Sequence, residues 1–279
     1  MENYDELERK RIEINNTEDR NVALELVKQN GSLLRFARRA FLADKEIVLE
    51  AIKTDGSIIK YISKELREDR DLILELVKQN GFLLEFVREE FRADKEIVLE
   101  AVKQQGLALK FASDALKADR DVVLEAIKND GRALDYVFKE LRNDKNLVLE
   151  AVKQNGLALS YASDKLKGDR KIVLEAFKQN MRSFVDVSYK IREDKKFVLK
   201  IVKKDGRALE FIPEKLKSDK EVVLEAVKNR GLALKFASDE LKADREVVLT
   251  AIKSSVGAFY VASKEIQADK EIRKLVGFE

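Results

Sequence analysis

Acidic side chains recur in this chain at spacings that could support general acid–base catalysis. An aspartate followed by Lys or Arg recurs every 25 residues, from Asp19 to Asp269, so the chain contains ten full repeats and the start of an eleventh. In eight of the ten full repeats a glutamate follows six residues after this aspartate. These aspartates are Asp19, Asp44, Asp69, Asp94, Asp119, Asp144, Asp169, Asp194, Asp219, Asp244 and Asp269. Neighbouring carboxylates can act as acid and base when their surroundings separate their pKa values. A catalytic pair occurs once, however, whereas a pair that recurs in nearly every repeat is typical of a scaffold.

The composition removes most other catalytic chemistry. The 279 residues include no His and no Cys, which excludes imidazole catalysis, thiolate nucleophiles and Cys/His zinc sites. We therefore predict no enzymatic activity, no metal site and no cofactor. The chain has 55 basic and 52 acidic residues, so its net charge of +3 is a small difference between two mixed populations. Such a balance favours a well-solvated surface rather than a polyanion-binding block.

A row of lysines is the first candidate binding feature. Counting positions within each repeat from its aspartate, position 10 is Lys in all ten full repeats, from Lys28 to Lys253. Lysines in register could follow a phosphate backbone. Glutamate at position 7 favours another interpretation, because Glu and Lys three residues apart pair on one face of a helix. We expect a solvated helix face and keep nucleic-acid binding as the alternative.

A row of aromatic residues at position 18 is the second candidate. Exposed aromatic rings beside basic residues can stack single-stranded bases. The rings here lie within an apolar pattern at positions 15, 16, 18 and 19, which predicts a place in the core. The aromatic residues are Phe36, Tyr61, Phe86, Phe111, Tyr136, Tyr161, Phe211 and Phe236.

The first half of each repeat has the pattern of an α-helix. Positions 4, 5, 6, 8 and 9 are apolar, with the three- and four-residue spacing of a helix. Aspartate at position 1 is a good N-cap, and acidic residues at position 3 suit the positive end of the helix dipole. Glycine at position 13 in eight of ten repeats predicts a left-handed turn after the helix. We therefore expect a helix of about 10–11 residues.

The second half of each repeat predicts a shorter helical segment in two parts. Its apolar residues lie at positions 15, 16, 18, 19 and 23. Position 20 is commonly Ser but is Pro213 in repeat eight, and proline breaks a continuous helix but suits a helix start. We expect a short helix over positions 14–19 and a further helical turn over 20–24.

Neither helix can bury its apolar face alone, so the repeats must cover one another. Stacking solves this and predicts an all-α fold of the α-solenoid class, a superhelical stack of ten to eleven two-helix repeats similar in spirit to HEAT repeats. We predict an N-terminal cap at 1–18, ten repeats at 19–268 and a truncated repeat at 269–279 as the C-terminal cap. Arg273 and Lys274 replace apolar residues in that last repeat, as a solvent-facing end requires.

The repeat resembles a known family along most of the chain. The pattern D-[KR]-E-[VI]-V-L-E-A-[VI]-K-x-[ND]-G-x-A-L-x-[FY]-A-S-x-x-L, over about residues 19–272, is similar to a helical tandem-repeat domain of unknown function found in bacterial and protist proteins. The resemblance implies an α-solenoid whose single or paired units have a period of roughly 25 or 50 residues, as solenoid repeats do. It implies no catalytic residues.

Positions that differ between repeats are those that packing does not dictate, and they are our candidate partner-binding site. Position 14 varies most clearly, and we expect it to share the outward side of the second helix with positions 17 and 21, on a concave surface. Apolar contacts would come from Phe82, Leu107, Leu157 and Leu232. Charged anchors would come from Arg132, Arg182 and Arg207. Neutral drift at exposed positions is the alternative explanation.

Repeat seven departs furthest from the pattern. Met181 replaces the glycine, Phe184 stands at position 16, and Asp186 takes the place of the aromatic ring. A buried aspartate is costly unless paired or hydrated, so we expect either that the second helix rotates here or that the stack bends and exposes Asp186. We predict a local change in curvature at repeats seven and eight, and we include Asp186 among the candidate binding residues.

These observations favour a non-enzymatic scaffold that binds another protein or peptide along its concave surface. Nucleic-acid binding along a basic face and a purely structural spacer are the alternatives. The N-terminal sequence MENYDELERKRIEINN lacks the apolar stretch of a secretory signal, and no apolar run reaches the ~20 residues of a membrane span. We therefore expect a cytoplasmic monomer without membrane contact.

Overall fold

The structure is a computed structural model that describes residues 4–278, and within that range every regular element is helical. Its contacts divide the chain into two compact units, one that ends at Arg142 and one that begins at Asn143. Between Tyr4 and Phe278, no helix is both long and apolar enough to cross a membrane.

Each full repeat begins with a ten-residue α-helix at positions 2–11. The aspartate at position 1 caps it, because its carboxylate accepts a hydrogen bond from the backbone N–H of position 3, position 4 or both. The predicted length and cap are confirmed. The long helices are Arg20–Gln29, Lys45–Thr54, Arg70–Gln79, Lys95–Gln104, Arg120–Asn129, Lys145–Gln154, Arg170–Gln179, Lys195–Lys204, Lys220–Asn229 and Arg245–Ser254.

A 3₁₀-helix follows from position 13 to position 17 or 18, after one extended residue at position 12. In seven repeats the Asn or Asp at position 12 accepts a hydrogen bond from the position-14 N–H, which starts the new helix. The 3₁₀-helices are Gly31–Phe36, Gly56–Lys60, Gly81–Glu85, Gly106–Phe111, Gly131–Tyr136, Gly156–Tyr161, Met181–Asp186, Gly206–Glu210, Gly231–Phe236 and Val256–Val261.

A final helical turn closes each repeat, so the predicted two-part second half is confirmed with shifts of about one residue. Pro213 lies where predicted, at the N-cap of the turn in repeat eight. The turn is α-helical in eight repeats: Arg39–Leu42, Lys64–Glu68, Glu89–Arg92, Asp114–Lys117, Tyr189–Arg192, Glu214–Lys217, Asp239–Lys242 and Lys264–Ala268. Repeats five and six have 3₁₀ turns instead, at Leu141–Asn143 and Leu166–Gly168.

The interpretation of the position-13 glycine was wrong. Among the described residues only Gly277 has a positive φ, so these glycines make no left-handed turn. They allow close approach to the next repeat instead. A Cβ on Gly106 would lie 2.3 Å from the carbonyl oxygen of Ala126, and a Cβ on Gly231 would lie 2.2 Å from that of Ala251. Any side chain would therefore push two repeats apart.

Several of these glycines donate a backbone hydrogen bond to a side chain of the next repeat. Their backbone N–H donates to a polar side chain near the end of the following long helix, usually at position 11. The donor–acceptor distance is 2.7 Å from Gly106 to Asn129 Oδ1 and 2.8 Å from Gly31 to Thr54 Oγ1. Equivalent bonds join Gly156 to Gln179, Gly206 to Asn229 and Gly231 to Ser254. Each bond satisfies a partly buried N–H that no helix of its own repeat can reach.

The core of each unit follows the predicted apolar positions. Positions 4, 5, 8, 9, 15 and 16 are buried in nearly every repeat, and within each unit consecutive repeats pack on one another in chain order. The fold is therefore an all-α tandem-repeat stack, as predicted.

Within the two units, two junctions are wider than the others. The long helices of repeats two and three, and of repeats seven and eight, lack the close backbone approach seen at the neighbouring junctions of their own units. Position 8 in the later repeat of each pair is bulky, Leu76 or Ile201, where seven other repeats have Ala. Met181 also replaces glycine at the second wide junction. Larger side chains hold the helices apart there.

A helix packs on the outermost repeat near each end of the described residues, while the predicted boundaries of the caps stay a prediction. The helix Tyr4–Asn16 packs on repeat one, with Ile14 fully buried, and the helix Lys270–Leu275 buries Ile272 against repeat ten. The predicted caps extend over residues 1–3 and 279, which lie outside the described residues.

Candidate functional site

The apolar residues at position 14 are substantially exposed. The exposed fraction is 41% for Phe82, 39% for Leu157 and 40% for Leu232, while Leu107 is half-buried. Positions 15 and 16 beside them are buried, so the core is complete without position 14. The sequence-predicted apolar contacts therefore lie on the surface.

The 3₁₀ geometry places positions 14 and 17 on one face, because residues three apart are eclipsed in such a helix. Arg35 Nε donates to the Ser32 carbonyl, and Ser160 Oγ donates to the Leu157 carbonyl. Consecutive repeats bring this face into register, since Leu232 Cδ2 lies 3.4 Å from the place of a Cβ on Gly257. We call the predicted site residues at position 14 of each unit its position-14 strip: Phe82, Leu107 and Arg132 in the first unit, and Leu157, Arg182, Arg207 and Leu232 in the second.

The three arginines of these strips differ in their pairing. Arg132 pairs with Asp130 and Arg207 with Asp205, two residues earlier in each case, at 2.7 and 2.6 Å. The Arg207 hydrogen bond lowers the pKa of the Asp205 carboxyl. Repeat seven has Asn180 at this position, and within residues 4–278 no carboxylate lies at ion-pair distance from Arg182. Arg182 is the arginine whose charge is fully available.

Asp186 is half-buried, so the expectation that position 18 is a core position was wrong. Position 18 is half-buried or exposed in every repeat, and an aspartate there needs no rotation of the helix. Phe184 fills the core in this repeat instead. It is fully buried and meets the Phe177 ring edge-on, with 6.1 Å between centroids.

The aromatic row is also less buried than predicted. Tyr61 is 47% exposed and the other rings at position 18 are half-buried. Basic side chains cover several rings, as with Arg35 at 5.5 Å from the Tyr61 centroid and Lys235 at 4.3 Å from the Phe236 centroid. These cation–π contacts occupy faces that stacked bases would need.

The lysine row is paired as the scaffold interpretation predicts. Seven of its members bond to the glutamate three residues earlier in their helix, at 2.5–3.4 Å. The pairs are Lys28–Glu25, Lys53–Glu50, Lys103–Glu100, Lys128–Glu125, Lys153–Glu150, Lys178–Glu175 and Lys228–Glu225. A row of carboxylates beside the lysines repels phosphate, which weakens the nucleic-acid alternative.

Sequence reasoning missed the ion pairs that join consecutive repeats at position 2. Arg70 bonds to Asp94 and Glu96 of the next repeat at 2.8 and 2.6 Å, and Lys220 bonds to Asp244 and Glu246 at 2.7 and 2.9 Å. These hydrogen bonds lower the pKa of the Asp94 and Asp244 carboxyls. The recurring Lys or Arg at position 2 was the available signal, but the pattern alone does not show that its partner is the capping aspartate of the next repeat.

Each wide junction opens a cleft beside the ends of the long helices. The cleft at repeats two and three has a volume of about 480 Å³ and includes Phe82 and Leu83. The cleft at repeats seven and eight has a volume of about 410 Å³ and includes Met181 and Arg207. Two sequence-predicted site residues, Phe82 and Arg207, therefore line clefts, although in different units.

The repeated helix–3₁₀–turn module, its N-capping aspartate and its side-chain bonds to the next module define a tandem helical-repeat protein. The chain belongs to the family described as Domain of unknown function (DUF4116), whose model matches eight overlapping windows of two repeats each. The windows are residues 19–67, 44–92, 69–117, 94–142, 119–167, 144–192, 194–242 and 219–267. No curated protein matches the chain.

The series of windows skips the start at Asp169, which would pair repeats seven and eight. That pair contains Met181, Ile201 and the second wide junction. The departure from the family pattern and the departure in packing thus fall at the same place.

Proposed function

We propose that the protein is a non-enzymatic repeat scaffold that binds another protein or peptide through its position-14 strips. The observation that carries the proposal is the exposure of Phe82, Leu157 and Leu232 beside a core that is complete without them. Exposed apolar side chains in register offer contact area that the fold itself does not use. The accompanying predictions of a concave binding surface, a cytoplasmic location and a monomer belong to this proposal.

The test compares protein capture by three forms of the full chain. One variant carries Phe82→Ser, Leu157→Ser and Leu232→Ser. A matched control carries Tyr4→Ser, Phe138→Ser and Leu275→Ser, which change exposed apolar residues outside the strips. We expect the strip variant to lose proteins that the wild type and the control both retain from native lysate, as measured by quantitative mass spectrometry. Equal recovery by all three forms would contradict the proposal.

Nucleic-acid binding along the lysine row remains the alternative, without a structural observation in its favour. Binding of a single-stranded oligonucleotide that weakens steeply with salt, and that Lys103→Glu and Lys128→Glu abolish together, would support it instead.

A further inference from the structure

Positive charge is concentrated in one short stretch of the chain. Residues 170–207 include twelve basic and five acidic side chains, so their surplus exceeds the +3 of the whole chain. The long helix of repeat eight, Lys195–Lys204, contains five lysines and no acidic residue, whereas each other long repeat helix has at least one. The balanced composition of the chain therefore conceals a local basic surface.

Three of these lysines are available for a ligand. Lys195 pairs with Asp219 and Lys203 lies 3.8 Å from Glu225. Lys196, Lys200 and Lys204 are exposed, and in the part of the chain that the structure describes they have no carboxylate at ion-pair distance. Their spacing of four residues places them on one face of the helix.

The basic face leads to the cleft between repeats seven and eight. Phe177 and Met181 are its apolar lining, and Lys178, Lys204 and Arg207 are its basic lining. Asp205 also lines the cleft and is bonded to Arg207, and Glu175 beside the cleft is bonded to Lys178. Glu175 also attracts the more distant Lys204, so three cations share two carboxylates and the cleft keeps a surplus of positive charge.

The residue that ends the long helix of repeat eight also differs from its equivalents in the other repeats. At five other junctions Asn, Gln, Ser or Thr at position 11 accepts the glycine N–H of the preceding repeat. Lys204 occupies this position in repeat eight, and an ammonium group has no acceptor. Met181, Ile201 and Lys204 together replace the groups that close those junctions, so the opening is built from three coordinated changes.

We propose that this cleft receives a short acidic segment of the partner protein, with an apolar side chain against Phe177 and Met181 and carboxylates against Lys200 and Lys204. The inference rests on the proposed scaffold function and names the chemistry of its partner. The basic surface covers two repeats, roughly 20 Å of stack at the usual helix spacing. On the flanking helices, Glu150 and Glu225 pair with the lysines of the row. That length and the apolar lining suit a peptide better than a nucleic acid, whose affinity needs many phosphate contacts.

The test measures binding of a fluorescein-labelled, glutamate-rich peptide with one central phenylalanine by fluorescence anisotropy at low salt. We expect the full-length protein to bind it and Lys200→Glu with Lys204→Glu to weaken the affinity about tenfold or more. The matched control Lys64→Glu with Lys139→Glu makes the same charge change on exposed residues of the other unit, and we expect less than about a twofold effect. Circular dichroism verifies that each form is folded.

A second variant tests the contribution of the open cleft separately from that of the lysine charges. Met181→Gly with Ile201→Ala restores two of the three residue types found at the closed junctions and keeps every lysine. We expect it to bind the phenylalanine peptide no better than a version with serine at the centre, whereas the wild type prefers phenylalanine.

Three results would overturn the inference: no peptide binding by the wild type, equal binding by the charge-reversed variant, or tighter binding of a single-stranded oligonucleotide that the same reversal weakens. The variants leave Phe82, Leu157 and Leu232 unchanged. If the peptide test gives one of these results while the strip variant still loses proteins captured from lysate, the acidic segment is rejected and the scaffold function is kept.

Discussion

Single residues at the repeat junctions carry much of the specificity of this stack. In six repeats glycine is required at position 13 because the carbonyl oxygen of the next repeat occupies the place of its Cβ, not because the backbone adopts an unusual conformation. Substitutions at Gly106 and at Ser183 test how tightly these junctions and the core beside them are matched.

Gly106→Ala places a Cβ 2.3 Å from the Ala126 carbonyl oxygen, so repeats four and five must separate. We expect a loss of about 2–3 kcal/mol in the free energy of unfolding, measured by chemical denaturation. Gly257→Ala is the matched control, because its Cβ would meet nothing closer than 3.4 Å. We expect that change to be neutral or to stabilise by about 0.5 kcal/mol through the unfolded state. Equal effects of the two substitutions would contradict the contact argument.

Ser183 is fully buried at position 15, where six other repeats have Ala. Within residues 4–278 its hydroxyl has no hydrogen-bond partner. Removing an unsatisfied buried hydroxyl should help folding, so we expect Ser183→Ala to raise the free energy of unfolding by about 1 kcal/mol. Ser160→Ala, which removes an exposed hydroxyl bonded to the Leu157 carbonyl, should change it by less than about 0.5 kcal/mol. Destabilisation by Ser183→Ala would show that the hydroxyl has a partner.

At the scale of the element, the long helix was predictable and the segment after it was predictable only in part. The helix follows from local signals, namely the capping aspartate and apolar residues three and four apart. The same spacing does not distinguish a 3₁₀-helix from an α-helix, so position 18 was placed in the core when it is only half-buried. The role of glycine could not be predicted, because it depends on a carbonyl oxygen that the next repeat supplies.

The N-capping aspartates also join the elements, and this makes the stack sensitive to acid. Hydrogen bonds from Arg70 and Lys220 lower the pKa of Asp94 and Asp244 in the folded protein. The unfolded chain therefore binds protons more readily, and the stabilisation, complete above the ordinary aspartate pKa of about 4, is lost as the pH falls through the lower folded value. We expect the melting temperature to fall in that range.

The variant Arg70→Gln tests this assignment, because it removes the donor to Asp94 and Glu96. The pKa of Asp94 should return toward its ordinary value, so melting temperature should depend less on pH below about 4 than in the wild type. Lys64→Gln is a suitable control, since Lys64 pairs only distantly with Glu68, at 3.9 Å. An unchanged pH dependence in Arg70→Gln would contradict the proposed origin of the shift.

At the scale of the whole molecule, the constant period of the sequence predicted a stack of repeats, and the residues that break the pattern indicated where the stack differs. Met181 was recognised as an exception, but the cleft beside it was not predicted, because its opening also depends on Ile201 and Lys204. The predicted change in curvature at repeats seven and eight stays a prediction. The position-14 candidates were found on the surface, while their pairing with Asp130 and Asp205 required coordinates.

Deletion of one complete repeat tests the modular character of the first unit. Removing residues 94–118 joins repeat three to repeat five and restores an equivalent junction, so we expect a folded protein with a cooperative thermal transition and proportionally less helix by circular dichroism. Removing residues 94–105 alone deletes a long helix without its partner segment. That variant should lose cooperativity, and equally cooperative melting of both deletions would contradict the modular account.

The bonds between neighbours have a consequence for what counts as the smallest unit of this protein. One repeat carries the glycine N–H and the basic side chain at position 2, while the following repeat carries the acceptors for both. A single repeat therefore contains the donor or the acceptor of each inter-repeat bond but never both. Two repeats in tandem are the shortest segment in which such a bond can form. Each window of the family model spans two repeats, which is the shortest length that contains both the donor and the acceptor of an inter-repeat bond.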